Sequence, residues 1–75
     1  MLYNPQLETF LHVADAGSFN KAAAESFITP SAIEKQINLL EKDIGAELFE
    51  RSHTGLTLTS AGKSLYVNAK KIIQL

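Results

Sequence analysis

A helix with two unlike faces is written in Thr29-Pro30-Ser31-Ala32-Ile33-Glu34-Lys35-Gln36-Ile37-Asn38-Leu39-Leu40-Glu41-Lys42-Asp43-Ile44-Gly45. Thr29 suits an N-cap, Pro30 suits the first helical position because an N–H there would have no partner anyway, and Gly45 supplies a stop. Ile33, Ile37, Leu40 and Ile44 recur at helical spacing and predict one buried stripe. The opposite side presents Ser31, Glu34, Lys35 and Asn38, with Thr29 and Pro30 at its edge.

Upstream of this helix the punctuation repeats. Ser18 can cap a short helix carrying Phe19, Ala22 and Ala23, whose small alanines admit a close neighbour, and which ends near Ser26 before the link Phe27-Ile28. Earlier still, Asn4-Pro5 opens a helix with Leu7, Phe10, Leu11 and Ala14 on one face, stopped at Gly17. Helix, short helix, tight link and longer helix is the order of a helix-turn-helix. Phe10, Phe19, Phe27 and Phe49 are all expected in the core.

Downstream the period changes. Leu48-Phe49-Glu50-Arg51 and Leu56-Thr57-Leu58, joined by Ser52-His53-Thr54-Gly55, predict a β-hairpin that would form a wing. Thr59 can cap a fourth helix whose wide apolar face is Leu65, Tyr66, Ala69, Ile72 and Ile73. Lys71-Ile72-Ile73-Gln74-Leu75 contains no terminator, so the expectation is a chain cut within or just after that helix. The fold expected is mainly α: a three-helix core and hairpin wing over residues 1–59, then the start of a linker helix over 60–75.

Composition bounds the function. The 75 residues are 45% hydrophobic, too apolar for a disordered acidic tail. A domain this small buries only about 60% of the surface its unfolded chain exposes, so good helix packing or a partner subunit must supplement the core. The absence of cysteine fits a reducing cytoplasm better than a stapled secreted domain. No run approaches the roughly 18 apolar residues of a membrane span, and the first residues lack the pattern of a signal peptide. No membrane partner is expected.

Enzymatic chemistry finds no constellation in the sequence. His12 and His53 have no second histidine or cysteine at metal-ligand spacing, so no metal site is expected, and His12 reads as an ordinary helix residue near Glu8. No serine lies in Gly-x-Ser-x-Gly, and four scattered glycines form neither a phosphate loop nor a dinucleotide fingerprint. The outer face of the third helix says more. Lys35 can reach guanine or phosphate, Asn38 can pair with adenine, and Glu34 can accept from a cytosine amino group. Pattern alone leaves this open against a solvated amphipathic face.

Further residues decide between the two. Ser18-Phe19-x-Lys21-Ala22-Ala23, then Thr29-Pro30-Ser31-Ala32-Ile33-x-Lys35-Gln36-Ile37-x-x-Leu40-Glu41-x-x-Ile44-Gly45-x-x-Leu48-Phe49-x-Arg51, then Leu58-Thr59-x-Ala61-Gly62, resembles the N-terminal DNA-binding domain of LysR-type transcriptional regulators. The match covers nearly the whole chain without a gap. It implies a winged helix-turn-helix that binds a pseudo-palindromic operator in duplex DNA, and a linker helix pairing with its copy in a homodimer through Leu65, Tyr66, Ala69, Ile72 and Ile73. A higher oligomer would be open to a full-length protein of this kind. It also implies a following effector domain that takes a small molecule, with no cofactor in this segment, and a bacterial cytoplasmic location.

Carried over by position, the resemblance places Thr29, Pro30, Ser31, Glu34 and Lys35 at the DNA. Here the chain departs from the common pattern, which has Ser-Gln-Pro at Thr29-Pro30-Ser31, serine at Glu34, arginine at Lys35 and often a basic residue at Asn38. Lys35 keeps the charge but loses the bidentate fork. Asn20 and Lys21, at the start of the second helix, are expected to hold a phosphate with the help of free backbone N–H groups and the helix dipole. Arg51, His53 and Thr54 are expected to touch backbone or minor groove from the wing. Glu41 and Gly62 also match the family, and both read as structural. The alternative reading is a winged-helix protein-interaction module that does not bind DNA, which the acidic recognition face favours.

The near-neutral charge, seven basic against eight acidic residues, hides a division. Residues 1–50 hold three lysines and all eight acids, whereas residues 51–75 hold Arg51, Lys63, Lys70 and Lys71 and no acid. The acids are expected on surfaces turned away from DNA, with weak, salt-sensitive non-specific affinity as the consequence.

Overall fold

The computed structural model describes residues 5–53 and 55–73. Helices α1 (Pro5–Ala16), α2 (Phe19–Ser26) and α3 (Pro30–Ile44) precede strands β1 (Phe49–Ser52) and β2 (Gly55–Leu58), and helix α4 (Ser60–Ile73) follows. The cap chemistry sets these boundaries. Ser18 Oγ accepts the Lys21 N–H at 3.0 Å, Thr29 Oγ1 accepts the Ala32 N–H at 3.1 Å, and Thr59 Oγ1 accepts the Gly62 N–H at 3.0 Å. The expected Asn4 cap, residue Thr54 and the chain end at Gln74-Leu75 lie outside the described residues. Among the described residues, no helix is long and apolar enough to cross a membrane.

The core forms where these elements meet. Phe10, Leu11 and Val13 of α1, Ala22 and Ala23 of α2, and Ile33, Ile37 and Leu40 of α3 are buried together with Leu48, Phe49 and Ala69. Helix α1 is the hub, packed on α2, α3 and α4, and β2 leans on both α1 and α4. The strands pair antiparallel from Phe49 opposite Leu58 to Ser52 opposite Gly55, so Ser52 and Gly55 belong to the ladder rather than to the four-residue link the sequence suggested.

The base of the wing is tied down by the two residues read as structural. The Glu41 carboxylate accepts the Leu48 N–H at 2.7 Å and the Phe49 N–H at 3.4 Å, fixing the chain as it leaves α3. The Leu48 carbonyl accepts the Thr59 N–H at 3.0 Å, and a Cβ on Gly62 would lie 2.1 Å from that same carbonyl oxygen. Only glycine lets the first turn of α4 close on this strand.

Two core expectations fail. Phe27 is 95% exposed instead of buried. It is the C-cap of α2, at φ +60° and ψ +33°, with its N–H bonded to the Ala23 carbonyl, and this left-handed geometry turns the side chain outward. Ile44 continues the α3 stripe in spacing, yet it is 46% exposed, because the helix ends there at Gly45 and Leu48 and Phe49 complete the core instead.

Candidate nucleic-acid interface

Three elements converge at one cleft. Ser18, Phe19 and Asn20 from the start of α2, Pro30 and Glu34 from α3, and Arg51, Ser52, Gly55 and Leu56 from the wing line it. The cap at Ser18 accepts the Lys21 N–H, and Asn20 and Lys21 are exposed on the first turn of α2, where the opening N–H groups have no partner within the helix. Thr29, Pro30, Ser31, Lys35 and Asn38 are all exposed along α3, Glu34 is half-buried, and His53 is exposed at the tip of the wing. The Thr29 hydroxyl, besides capping the helix, lies 3.3 Å from Ser31 Oγ.

At the centre of the cleft the wing reaches back to α3. Arg51 Nη1 donates to Glu34 Oε2 at 2.5 Å and Arg51 Nη2 to Asn38 Oδ1 at 3.2 Å. The guanidinium carbon lies 5.1 Å from the centre of the Phe19 ring, a cation–π distance. Phe19 in turn stands edge-on to Phe49 at 6.4 Å, and Phe49 packs on Phe10 at 5.4 Å, so the arginine's platform is continuous with the core. Asn38 pairing with adenine would use both amide atoms, and its oxygen is already engaged by Arg51.

The acids are not all turned away from this face. Glu34 sits within it, and Glu47 and Glu50 line a second cleft together with Asn38 and Arg51. The part of the reading face towards the base of the wing is therefore acidic, and the exposed cations of α2 and the outer side of α3 are Lys21 and Lys35. Sequence reasoning placed Arg51 and Glu34 on the right elements but missed their bond, which spans 17 positions and two element types. It also missed Phe19 as a platform; the arginine two residues after a core phenylalanine was the available signal.

The proposed dimer seam is partly used by the domain itself. Ala69 is fully buried, and Leu65 and Tyr66 pack against the same core, with the Tyr66 hydroxyl donating to Asp15 Oδ1 at 2.5 Å. Ile72 is exposed, as is Val67, which the sequence reading did not single out, while the Ile73 side chain lies outside the described residues. His12 lines one pocket with Glu8 and reaches across to α2, with Nε2 2.8 Å from Glu25 Oε1 and Nδ1 2.8 Å from Ser26 Oγ. Among the described residues, no group of three or more potential ligands is placed to hold a metal.

A helix-turn-helix braced by a leading helix and flanked by a two-stranded hairpin defines a winged helix-turn-helix domain. Residues 5–63 match the family described as bacterial regulatory helix-turn-helix protein, lysR family, and the chain belongs to that family. It is 44% identical over 70 residues to the HTH-type transcriptional regulator TfdT of Cupriavidus pinatubonensis, covering 93% of this chain and 31% of that protein. The crystal structure of the DNA-binding domain of CbnR in complex with DNA superposes with a TM-score of 0.89 at 37% identity, covering 97% of this chain and 84% of that one. Full-length LysG from Corynebacterium glutamicum with bound effector Arg superposes at a TM-score of 0.84 and 36% identity, over 96% of this chain and 25% of that one. The chain thus spans less than a third of the length of TfdT and about a quarter of LysG.

Proposed function

We propose that this chain is the DNA-binding module of a LysR-type transcriptional regulator and that it recognises specific sequences in duplex DNA. The observation that carries the reading is the convergence of the α2 N-terminus, the outer face of α3 and the wing on one polar cleft, in a fold shared with a domain crystallised on DNA. Helix α3 enters the major groove, with Thr29, Pro30, Ser31, Glu34, Lys35 and Asn38 towards the bases and their phosphates. The N–H groups opening α2, with Asn20 and Lys21, hold a backbone phosphate. The wing lies on the flanking backbone or minor groove, where His53 stands exposed and where Thr54 belongs by sequence.

The protein acts as a dimer on a pseudo-palindromic operator, with the half-sites set by pairing of α4. Ile72 and Val67 are the apolar side chains that α4 leaves exposed for this, and Ile73 joins them by sequence. By likeness to LysG with its bound effector, a small-molecule effector acts through a part of the regulator beyond this segment, and the setting is the bacterial cytoplasm. Selection of bound sequences from random duplex DNA tests the reading: one enriched, two-fold related sequence is expected, and an unenriched pool would refute it. One observation favours the interaction-module alternative, the exposed apolar pair Phe27 and Ile28. That reading requires no binding to any duplex at low salt.

A further inference from the structure

The wing arginine is an obvious candidate for a phosphate anchor, yet its geometry is that of a brace. Its two terminal nitrogens are bonded to Glu34 and Asn38 on successive turns of α3, and its guanidinium carbon lies over the Phe19 ring. A guanidinium has five N–H donors in one plane, so it can join two acceptors on a helix face at once, which an ammonium cannot do with the same rigidity. The partner it holds is unusual for a DNA face. A carboxylate repels phosphates, and it has only acceptors to offer to bases. Left alone in a groove, Glu34 would cost affinity; neutralised by Arg51, it keeps lone pairs for a base donor. In the major groove such donors are the amino groups of cytosine and adenine; with Oε2 on Arg51, Glu34 keeps Oε1 as an acceptor, which suits the cytosine N4 group.

We propose that Arg51 is a positioning residue that holds the Glu34 carboxylate in place to accept a hydrogen bond from a cytosine amino group, and that it stays on α3 when DNA binds. The same bond orients Asn38. With Oδ1 turned to Arg51, the Asn38 amide presents its Nδ2 as a donor, which suits guanine, thymine O4 or a phosphate oxygen rather than the paired contacts of adenine. The wing and the reading helix thus act as one unit. This rests on the duplex-DNA reading above.

The test is a double-mutant cycle on the 75-residue chain, titrated by fluorescence anisotropy against a duplex that the wild type selects. Arg51→Ala should weaken binding about tenfold in the wild-type background and only about twofold in Glu34→Gln, a coupling of the size neighbouring charges show. The salt slope should stay the same in Arg51→Ala, whereas loss of a phosphate contact would reduce it by about 0.9. Arg51→Lys, which keeps the charge but not the fork, should relax the cytosine preference at one position per half-site, and Glu34→Ser should abolish it. Thermal melts accompany each variant, and Arg51→Lys carries the test if Arg51→Ala melts early. Additive effects with a reduced salt slope, or an unchanged base preference in Glu34→Ser, would overturn the proposal and leave the DNA reading intact. A wild type that binds no duplex would overturn both.

Discussion

Helix α3 shows two faces built under different rules. On its inner side Ile33, Ile37 and Leu40 are almost wholly enclosed, at most 4% exposed, and their identities answer to volume and shape. On its outer side Ser31, Lys35 and Asn38 are exposed and Glu34 is held from across the molecule, so their identities answer to a partner and to one another. A substitution on the inner side should therefore be read in stability, and one on the outer side in binding. The caps and the wing base stand between, because they set where the outer side points.

That contrast breaks if the largest effects appear in the wrong measurement. Ile37→Ala removes a fully buried side chain from the middle of the core and should cost about 2–5 kcal/mol in urea unfolding, a severe loss for a domain of this size. Gly62→Ala drives a methyl onto the Leu48 carbonyl and should cost about 1–3 kcal/mol through displacement of α4 from the wing base, read as a lowered urea midpoint. Thr29→Ala removes the cap of α3 and should cost about 1 kcal/mol in the same experiment. Lys35→Ala should leave stability within about 0.5 kcal/mol, since Lys35 has no ion-pair partner among the described residues. Its effect belongs to DNA affinity, lowered on all duplexes alike, with a salt slope reduced by about 0.9 if it meets a phosphate. A large loss of stability in Lys35→Ala would erase the distinction between the faces.

The sequence carried the local part of this arrangement. Caps at Ser18, Thr29 and Thr59, the stop at Gly45 and the small Ala22-Ala23 pair are short-range signals, and the helices begin and end accordingly. Phe27 shows where local reading stops. Its apolar character argued for burial, but the chain turns there in the left-handed region and leaves the side chain 95% exposed. Ile44 fails similarly, for spacing continues a stripe past the level where the core is already filled by Leu48. At the candidate interface the exposed residues of α3 and the wing were legible from period and position. The links among them were not: Arg51 to Glu34, Arg51 to Asn38 and His12 to Ser26 join residues 13 to 17 positions apart, through a register that only the packed hairpin and helices create.

The acid-rich first fifty residues and the basic remainder meet at that Arg51–Glu34 bond, which makes charge placement a matter of pairs rather than totals. A domain with a net charge of −1 has a small non-specific component of affinity. Its discrimination must rest on base contacts.

The central claim is that the outer face of α3, the start of α2 and the wing are the surface that meets duplex DNA. It is tested most directly by following backbone amide resonances as a selected duplex is titrated into the labelled chain. The largest changes are expected at residues 18–21, at Thr29, Ser31, Glu34, Lys35 and Asn38, and at residues 51–53, with Ile33, Ile37 and Leu40 on the buried face of α3 and the Phe27-Ile28 turn less affected. Changes confined to that turn and to α4, or none at low salt, would contradict it.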